Sequence, residues 1–529
     1  MKIVFAASEM FPFIKTGGLG DVIDSLSKAL SLKNEVYVFL PFYKNELLNL
    51  NNALNNNGNL NFTPNNNLND NLNFSKKNTN QNNSSEPLSF LNSFFTFLSW
   101  RKEHIGVFKI NNNAFNINPE FNLNIFLIDN EHYFKRSNIY GENDDCERFC
   151  FFSKAVLETL VKLNICPDII HCHDWQTSAI PSFLNVFYKN FFKNTKTVLT
   201  IHNIEYQGKA DISFLEDVLG LGKNYLNTFL FNGCINLLKG GILTANFVTT
   251  VSKTYAYELE YPYFAEGLEK IINAHKFKFK GITNGINTNV FNPKTDKNIY
   301  CNYGSEDFFT KKANNKTELQ KALALSVNKN VPLIAMVTRL VDHKGISLVK
   351  EKIFDILNLN VQFVLLGTGD KYYEDFFKNI NTCNNFNAYN GYENDFGKNT
   401  SKYSCNIKFD NSLAHKIYAA SDIYLMPSKS EPCGLSQLIA MRYGSVPVVN
   451  KIGGLNDTVK AFNIKTLTGT GFTFQTFNSG DMFNALLRAV DLYFNNRNIF
   501  NCIVKNCLIK ESSFLKSAKE YEKLYKSIL

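Results

Sequence analysis

Lys15-Thr16-Gly17-Gly18-Leu19-Gly20-Asp21-Val22 decides how this chain is read. It follows an apolar run, Lys2 to Ser8 (KIVFAAS), that reads as a buried strand. It leads into Asp21 to Leu30 (DVIDSLSKAL), which reads as a helix with Val22, Leu26 and Leu30 on one face. A glycine-rich turn between strand and helix lets backbone N–H groups approach a phosphate, and the helix N-terminus adds partial positive charge. Lys15 adds a full charge. The order Gly-Gly-Leu-Gly is not the dinucleotide fingerprint, whose acidic partner closes the second strand about 20 residues on. Here that strand, Glu35 to Leu40, runs into Pro41-Phe42-Tyr43-Lys44. No Gly-Lys-Ser/Thr follows, which excludes a Walker loop. A nucleotide sugar or sugar phosphate is left, with a plain tight turn as the alternative.

At 529 residues the chain is long enough for at least two domains with their own cores. The apolar fraction is 44%, and no apolar run approaches the ~20 residues that span a bilayer. The expectation is a soluble cytoplasmic protein without a membrane partner. The net charge of +9 is carried by scattered lysines, with no dense basic block, so nucleic acid is not expected as a partner. The eleven cysteines form no CxxC pair, and Cys146 and Cys150 lack a second pair at zinc spacing. Reduced thiols and no metal are expected.

Residues 51 to about 88 are an Asn-dominated, low-complexity insert that is too polar to support a packed element. Elsewhere strand-like runs alternate with helical patterns: Leu123 to Ile128, Asp168 to Ile170, Thr197 to Ile201 and Phe247 to Val251. The pattern restarts after about residue 264 with Val331 to Val337, Val361 to Gly367, Ile423 to Met426 and Val446 to Val449. Repeated strand–helix units imply parallel sheets covered on both faces. The fold class is therefore α/β, with two doubly wound, Rossmann-like domains facing a cleft. The expected spans are 1–263 and 264–510. In such sheets ligands bind at the carboxyl ends of the strands.

Three further clusters carry chemistry. Strand Val331 to Val337 leads into Arg339 and Lys344, a planar fork and a point charge suited to a diphosphate; two solvated surface charges are the alternative. Pro427-Ser428-Lys429-Ser430-Glu431-Pro432-Cys433-Gly434-Leu435 is an extended segment opening a helix at Gly434-Leu435, and a glycine turn, Ile452-Gly453-Gly454-Leu455, follows the next strand. Glu431 is either a dipole-favoured surface acid or a partner for sugar hydroxyls. In the first half, His171-Cys172-His173-Asp174-Trp175 and His202-Asn203 each follow a strand. Asp144 and Arg148 have i,i+4 spacing and read equally as a plain helix pair.

KTGGLGDV, HCHDWQT, THNIEYQG, GITNGINTNVFNP, VTRLVDHKG, PSKSEPCGLSQLIAMRYGSVPVV, GGLNDTV and GTGFTF occur in this order from residue 15 to about 474. Together they resemble the bacterial glycogen synthases and plant starch synthases of glycosyltransferase family five. The resemblance implies the GT-B architecture and a final helix, within 511–529, that crosses back to the first domain. It implies glucose transfer from ADP-glucose to the non-reducing 4-hydroxyl of glycogen or another α-1,4-glucan, with retention and with no cofactor or metal. Lys15, Gly17 and Gly18 match the donor loop, and Asp21 lies in the same motif on the sugar side. His173 matches an active-site histidine near the donor glucose. Asp144 matches an acid of the acceptor and sugar region, and Asn284 matches a polar residue lining the cleft. Arg339 and Lys344 match the diphosphate-binding pair. Glu431, with the backbone of Cys433-Gly434-Leu435, matches the motif that holds the donor glucose. Two positions depart from the family's usual residues: Asn287 stands for Asp, and His343 for Gln. A UDP-glucose-dependent transferase of the same fold and a non-catalytic glucan-binding protein are the rival readings. The second should have lost the charges at Lys15, Arg339, Lys344 and Glu431.

Overall fold

The computed structural model describes residues 1–46, 87–380 and 402–529. The Asn-rich insert lies outside them up to residue 86, and Leu88, its expected last residue, begins a strand. The chain forms two compact units. Unit one comprises Met1–Thr250, Ala265–Lys280 and Ser517–Leu529; unit two comprises Val251–Phe264 and Gly281–Lys516. The region where one boundary was expected, near residue 264, therefore holds a double exchange of the chain. Val251–Phe264 belong to unit two, and the next segment returns to unit one.

The strands of unit one are β1 (Lys2–Ala6), β2 (Glu35–Pro41), β3 (Leu88–Leu98), β4 (Arg101–Ile110), β5 (Leu123–Asp129), β6 (Ile169–His173) and β7 (Lys196–Ile201). A small sheet of β8 (Lys209–Ala210), β9 (Leu230–Phe231) and β10 (Cys234–Asn236) follows, then β11 (Phe247–Thr250) and β12 (Phe279–Gly281). The main sheet has nine strands in the order β12-β11-β7-β6-β1-β2-β5-β4-β3. Strands β5 to β11 pair in parallel through β2, β1, β6 and β7, while β4 and β3 add antiparallel. All five residues of β6 are buried, as a strand covered on both faces must be. Edge strand β3 instead alternates exposed and covered residues along much of its length.

Unit two holds β13 (Leu333–Val337), β14 (Gln362–Leu366), β15 (Tyr403–Asn406), β16 (Ile423–Met426), β17 (Val446–Asn450) and β18 (Phe472–Phe474). They form an all-parallel, six-stranded sheet ordered β15-β14-β13-β16-β17-β18. Counted from β13, this is the 3-2-1-4-5-6 order of a Rossmann unit. The parallel part of unit one, β5-β2-β1-β6-β7-β11, repeats that order. Each sheet thus has one place where successive strands depart in opposite directions: between β1 and β6, and between β13 and β16. Loops leaving those strands diverge and leave room for a ligand.

Several expected elements shift in the structure. The first helix is Gly18–Ser31, so it starts inside the glycine run rather than at Asp21. His171 and His173 are the closing residues of β6, not residues beyond it. The final helix, Phe514–Ile528, carries its last part into unit one. There the buried Tyr525 hydroxyl meets His171 Nδ1 at 2.7 Å, and Asn34 donates to Glu522 at 2.9 Å.

Candidate functional site

In unit two the loops after β13 and β16 meet. Gly345, in the left-handed region at φ +72°, turns the chain from the 3-10 turn Asp342–Lys344 into helix Ile346–Asn358. A Cβ there would lie 2.1 Å from the Pro427 carbonyl oxygen, so the position needs glycine on both counts. The close approach brings Lys344 Nζ to 2.6 Å from Glu431 Oε2, and Ser428 Oγ donates to the same oxygen at 3.1 Å. Glu431 is buried, Lys344 is 17% exposed, and Arg339 on the same loop is exposed. A buried carboxylate is tolerated because it is paired and hydrogen-bonded. The ammonium has further donors to offer, so one bond to Glu431 does not exhaust it.

The glycine turn after β17 explains why Glu431 keeps its place. Gly454 N donates to Glu431 O at 3.0 Å. Added Cβ atoms at Gly453 and Gly454 would sit 2.1 Å from Glu431 O and 2.2 Å from Cys433 O. These glycines let one backbone press on another. Gly453 N donates to Glu258 Oε1 at 2.8 Å, and burial pushes that carboxyl up to about 7. The Gln437 amide bonds Cys433 O and Gly434 O, each at 3.0 Å, and Gly434 has φ +72°. Helix Ser436–Arg442 starts just past Leu435, one residue later than read from the sequence. Burial raises the Cys433 thiol to about 12, so it stays protonated near neutrality and is no nucleophile. Asn284 is buried, and its Oδ1 has no hydrogen-bond partner among the described residues. The two departures from the family pattern do ordinary work. Asn287 Oδ1 accepts from Asn289 N and Val290 N, as an aspartate would, and His343 offers its backbone carbonyl to Lys429 N.

Unit one presents its own strand-end groups. Glu9, just beyond β1, is buried and takes Thr16 N and Thr16 Oγ1 at 2.6 Å each, Gly17 N at 3.3 Å and Tyr140 Oη at 2.7 Å. Two backbone N–H groups of the glycine loop are therefore already spent on a carboxylate. Lys15 is exposed and pairs with Asp21 at 2.8 Å, which offsets its charge locally. Burial raises the Asp21 carboxyl while Lys15 opposes the shift. At Gly17 a Cβ would meet nothing within 4 Å, and φ is −151°.

At the end of β6, His173 is fully buried and lies nearly parallel to the Phe5 ring at 5.2 Å. Its Nδ1 is 3.0 Å from His202 Nε2. Burial holds both imidazoles below their ordinary values, His202 to about 3. Two neutral rings suit this contact, since one nitrogen must donate and the other accept. His173 Nε2 has no partner among the described residues. Asp174, at φ +58°, takes His202 N at 2.6 Å and so ties the ends of β6 and β7 together. Asp144 is not paired with Arg148. It sits at the start of helix Asp145–Lys162 and accepts from both terminal nitrogens of Arg136, Nη1 and Nη2, the latter at 2.6 Å. Burial opposes its ionisation, but Arg136 holds the carboxyl below its usual value. The buried Arg148 pairs with Asp145 at 2.7 Å instead.

Within unit two the structure joins Lys344 to Glu431; within unit one it joins Lys15 to Asp21 and stands Asp144 apart on Arg136. Reading the sequence missed Glu9, Tyr140, Ser428, Glu258 and the tie made by Asp174. Glu9 carried a usable signal: an acid directly after a buried strand and ahead of a glycine loop.

The starch synthase catalytic domain model matches residues 2–274, and the glycosyl transferases group 1 model matches residues 317–501. A glycogen synthase of Desulforamulus reducens is 41% identical over 540 residues, spanning 100% of this chain and 99% of its own. The chain belongs to the glycogen synthase family. A second member, from Clostridium beijerinckii, is 40% identical over 534 residues, again spanning 100% of this chain and 99% of its own. The solved catalytic domain of starch synthase IV from Arabidopsis thaliana, bound to ADP and acarbose, has a TM-score of 0.82 at 33% identity, covering 99% of each chain. Sucrose-phosphate synthase of Thermosynechococcus elongatus shares the fold alone, at 14% identity and TM-score 0.56 over 100% of this chain and 98% of its own. The architecture is GT-B, built of two Rossmann-like units, and the family's members are glycosyltransferases. No helix among the described residues is long and apolar enough to cross a membrane.

Proposed function

We propose that this protein transfers glucose from ADP-glucose to the non-reducing 4-hydroxyl of an α-1,4-glucan, with retention at the anomeric carbon. The observation that carries the reading is the 2.6 Å contact between Lys344 and Glu431 where the loops after β13 and β16 meet. It sets a phosphate-seeking cation beside a carboxylate able to accept from sugar hydroxyls. Glucan synthesis from a nucleotide sugar needs both.

In unit two, Arg339 and Lys344 take the donor diphosphate, while Glu431, with the backbone of Cys433, Gly434 and Leu435, takes the glucose hydroxyls. Asn284 offers its unpartnered Oδ1 as an acceptor. In unit one, Lys15, Gly17, Gly18 and Asp21 serve the donor, and His173 and Asp144 serve the sugar and acceptor side. As the C1–O bond to ADP breaks, charge grows on the terminal phosphate, and the cations fixed near it stabilise that charge. The acceptor oxygen bonds C1 on the face that the phosphate leaves. Its proton passes to a phosphate oxygen on that face, so no protein nucleophile is required. Neutral His173 positions a hydroxyl through Nε2.

Incubation with glycogen and either ADP-glucose or UDP-glucose, following nucleotide release, tests the reading. ADP release, with growth of amylase-sensitive chains, is expected. Preference for UDP-glucose would overturn the donor assignment, and release from neither would overturn transfer.

A further inference from the structure

Strand β6 closes on His171-Cys172-His173, and alternate residues of a strand share a face, so the two imidazoles stand side by side. Their ring centroids are 4.1 Å apart, and the Phe5 ring packs against both, at 5.0 and 5.2 Å. The transfer chemistry above uses His173 and leaves His171 without a task. His171 meets the final helix, which belongs to unit one from Ser517 onward. Tyr521 and Tyr525, four residues apart on Phe514–Ile528, lie on one helix face and are fully buried. Tyr525 Oη is 2.7 Å from His171 Nδ1, and the Tyr521 ring lies 5.2 Å from the imidazole. Tyr521 Oη is 3.4 Å from Thr200 Oγ1, which stands 2.6 Å from His171 Nε2 and 2.6 Å from Thr249 Oγ1. Both His171 nitrogens are thus occupied. Burial holds the ring well below its ordinary value, so it is neutral, with one nitrogen donating and one accepting. Both partners are hydroxyls and can serve either nitrogen.

We propose that Tyr525, with Tyr521 beside it, is a positioning residue for His173 and acts through the His171 ring. The role rests on the transfer reading of His173 above. His173 is set by His202 at its Nδ1, by Phe5 on its ring face and by His171 packed against it. Its Nε2 has no partner among the described residues, and this is the atom that meets the sugar. Of the three neighbours, His171 is the one oriented by a hydroxyl 354 residues further along the chain. Without Tyr525 Oη, Nδ1 of His171 is a buried polar atom with no partner, which rotation of the ring or entry of a water relieves. A close-packed interior passes that movement to the ring in contact with it. A displacement of His173 Nε2 by about 1 Å slows transfer while both substrates still bind.

Tyr525→Phe in the full chain keeps the ring and removes the hydroxyl. With ADP-glucose and glycogen, kcat should fall about tenfold while both KM values stay within about twofold of the parent. Thermal unfolding should show a folded protein whose Tm drops by a few degrees, the cost of one buried hydrogen bond. The chain has eight histidines, so ring nitrogen resonances of 15N-histidine-labelled protein can be followed singly. Those of His171 and of His173 should both shift in the Phe variant. Glu522→Ala is the control, since it removes the bond from Asn34 to the same helix and leaves His171 alone; its kcat and its His173 resonances should match the parent. Unmoved His173 resonances in Tyr525→Phe overturn the proposal, as does an unchanged kcat. An equal loss of kcat in Glu522→Ala also overturns it, because docking of the helix at large would then be the cause. A Phe variant that does not fold overturns it too, in favour of a hydroxyl that serves stability alone. A parent that releases nucleotide from neither donor sinks the transfer reading, and the His173 resonances then still decide whether Tyr525 sets that ring.

Discussion

The glycine loop of unit one and the Glu431 loop of unit two look alike in sequence, since both place glycines where a strand hands over to a helix. Their glycines do different work. In unit two, Gly345, Gly453 and Gly454 each lie where a Cβ would fall within 2.2 Å of a backbone oxygen of the 427–433 segment. They are packing glycines, and what they hold is Glu431. In unit one, Gly17 has an ordinary φ and open space where its Cβ would be. The organising group there is Glu9, which takes the N–H groups of Thr16 and Gly17. The same residue type is thus a structural requirement in one loop and an opening in the other.

The largest effect should come from the group that the unit-two glycines hold. Glu431→Gln keeps the size but weakens acceptance from sugar hydroxyls and removes the partner charge of Lys344. Activity should fall by at least ~100-fold, the scale of one preorganised charged contact. Thermal unfolding should show a folded protein. Near-normal kcat in a folded variant would remove Glu431 from the site.

Next comes Gly345→Ala. A left-handed φ of +72° and a Cβ 2.1 Å from Pro427 O have to be relieved together. A loss of ~3 kcal/mol or more is expected, since strain and backbone overlap add. Urea unfolding measures it. A variant as stable as its parent would show that the 427–433 segment yields freely, and the contrast with unit one would dissolve.

The third effect is a pH dependence. Burial raises the Glu258 carboxyl from 4.5 to about 7 where it accepts from Gly453 N. A carboxyl whose folded value is raised gives stability that is fully present below about 4.5 and is lost as pH rises through 7. Glu258→Gln still offers an acceptor to Gly453 but never ionises. Its stability should match the parent near pH 4.5 and exceed it by ~1–2 kcal/mol at pH 8. Parallel stability curves for parent and variant from pH 4.5 to 8 would show that Glu258 is not held in its neutral form.

Much of the fold was legible because buried parallel strands are continuous apolar runs: Ile423–Met426 has the expected limits, and most others shift by a few residues. β3 and β4 were not legible. Their antiparallel hairpin exposes Phe95 and Phe97, and the first strand adjoins the Asn-rich segment, so its pattern resembles neither a core strand nor a polar loop. The exchange of chain between the units at Val251–Phe264 leaves no compositional mark, because it is set by contacts far apart in sequence, such as Thr254 with Asp457. At the site, the residue types and the strand ends they follow were readable. Pairings were not: Asp144 with Arg136 rather than Arg148, and Lys344 with Glu431, depend on side-chain directions that spacing does not fix.

The smallest change in stability is expected at Gly17→Ala, and it separates the two loops most directly. At φ −151°, alanine is allowed, and nothing lies within 4 Å of the new methyl group. A modest gain from a stiffer unfolded chain opposes the slight preference of glycine over alanine at an N-cap, so stability should move by no more than ~0.5 kcal/mol. If the open space admits the donor's anionic group, the methyl will still obstruct it. The KM for ADP-glucose should then rise about tenfold, the cost of one poorly accommodated contact. Stability and donor kinetics measured on one preparation read both arms. Lost stability would mean that Gly17 is a packing glycine like Gly345. Unchanged stability with unchanged donor KM would return the loop to a plain tight turn, and with it the first inference drawn from this chain.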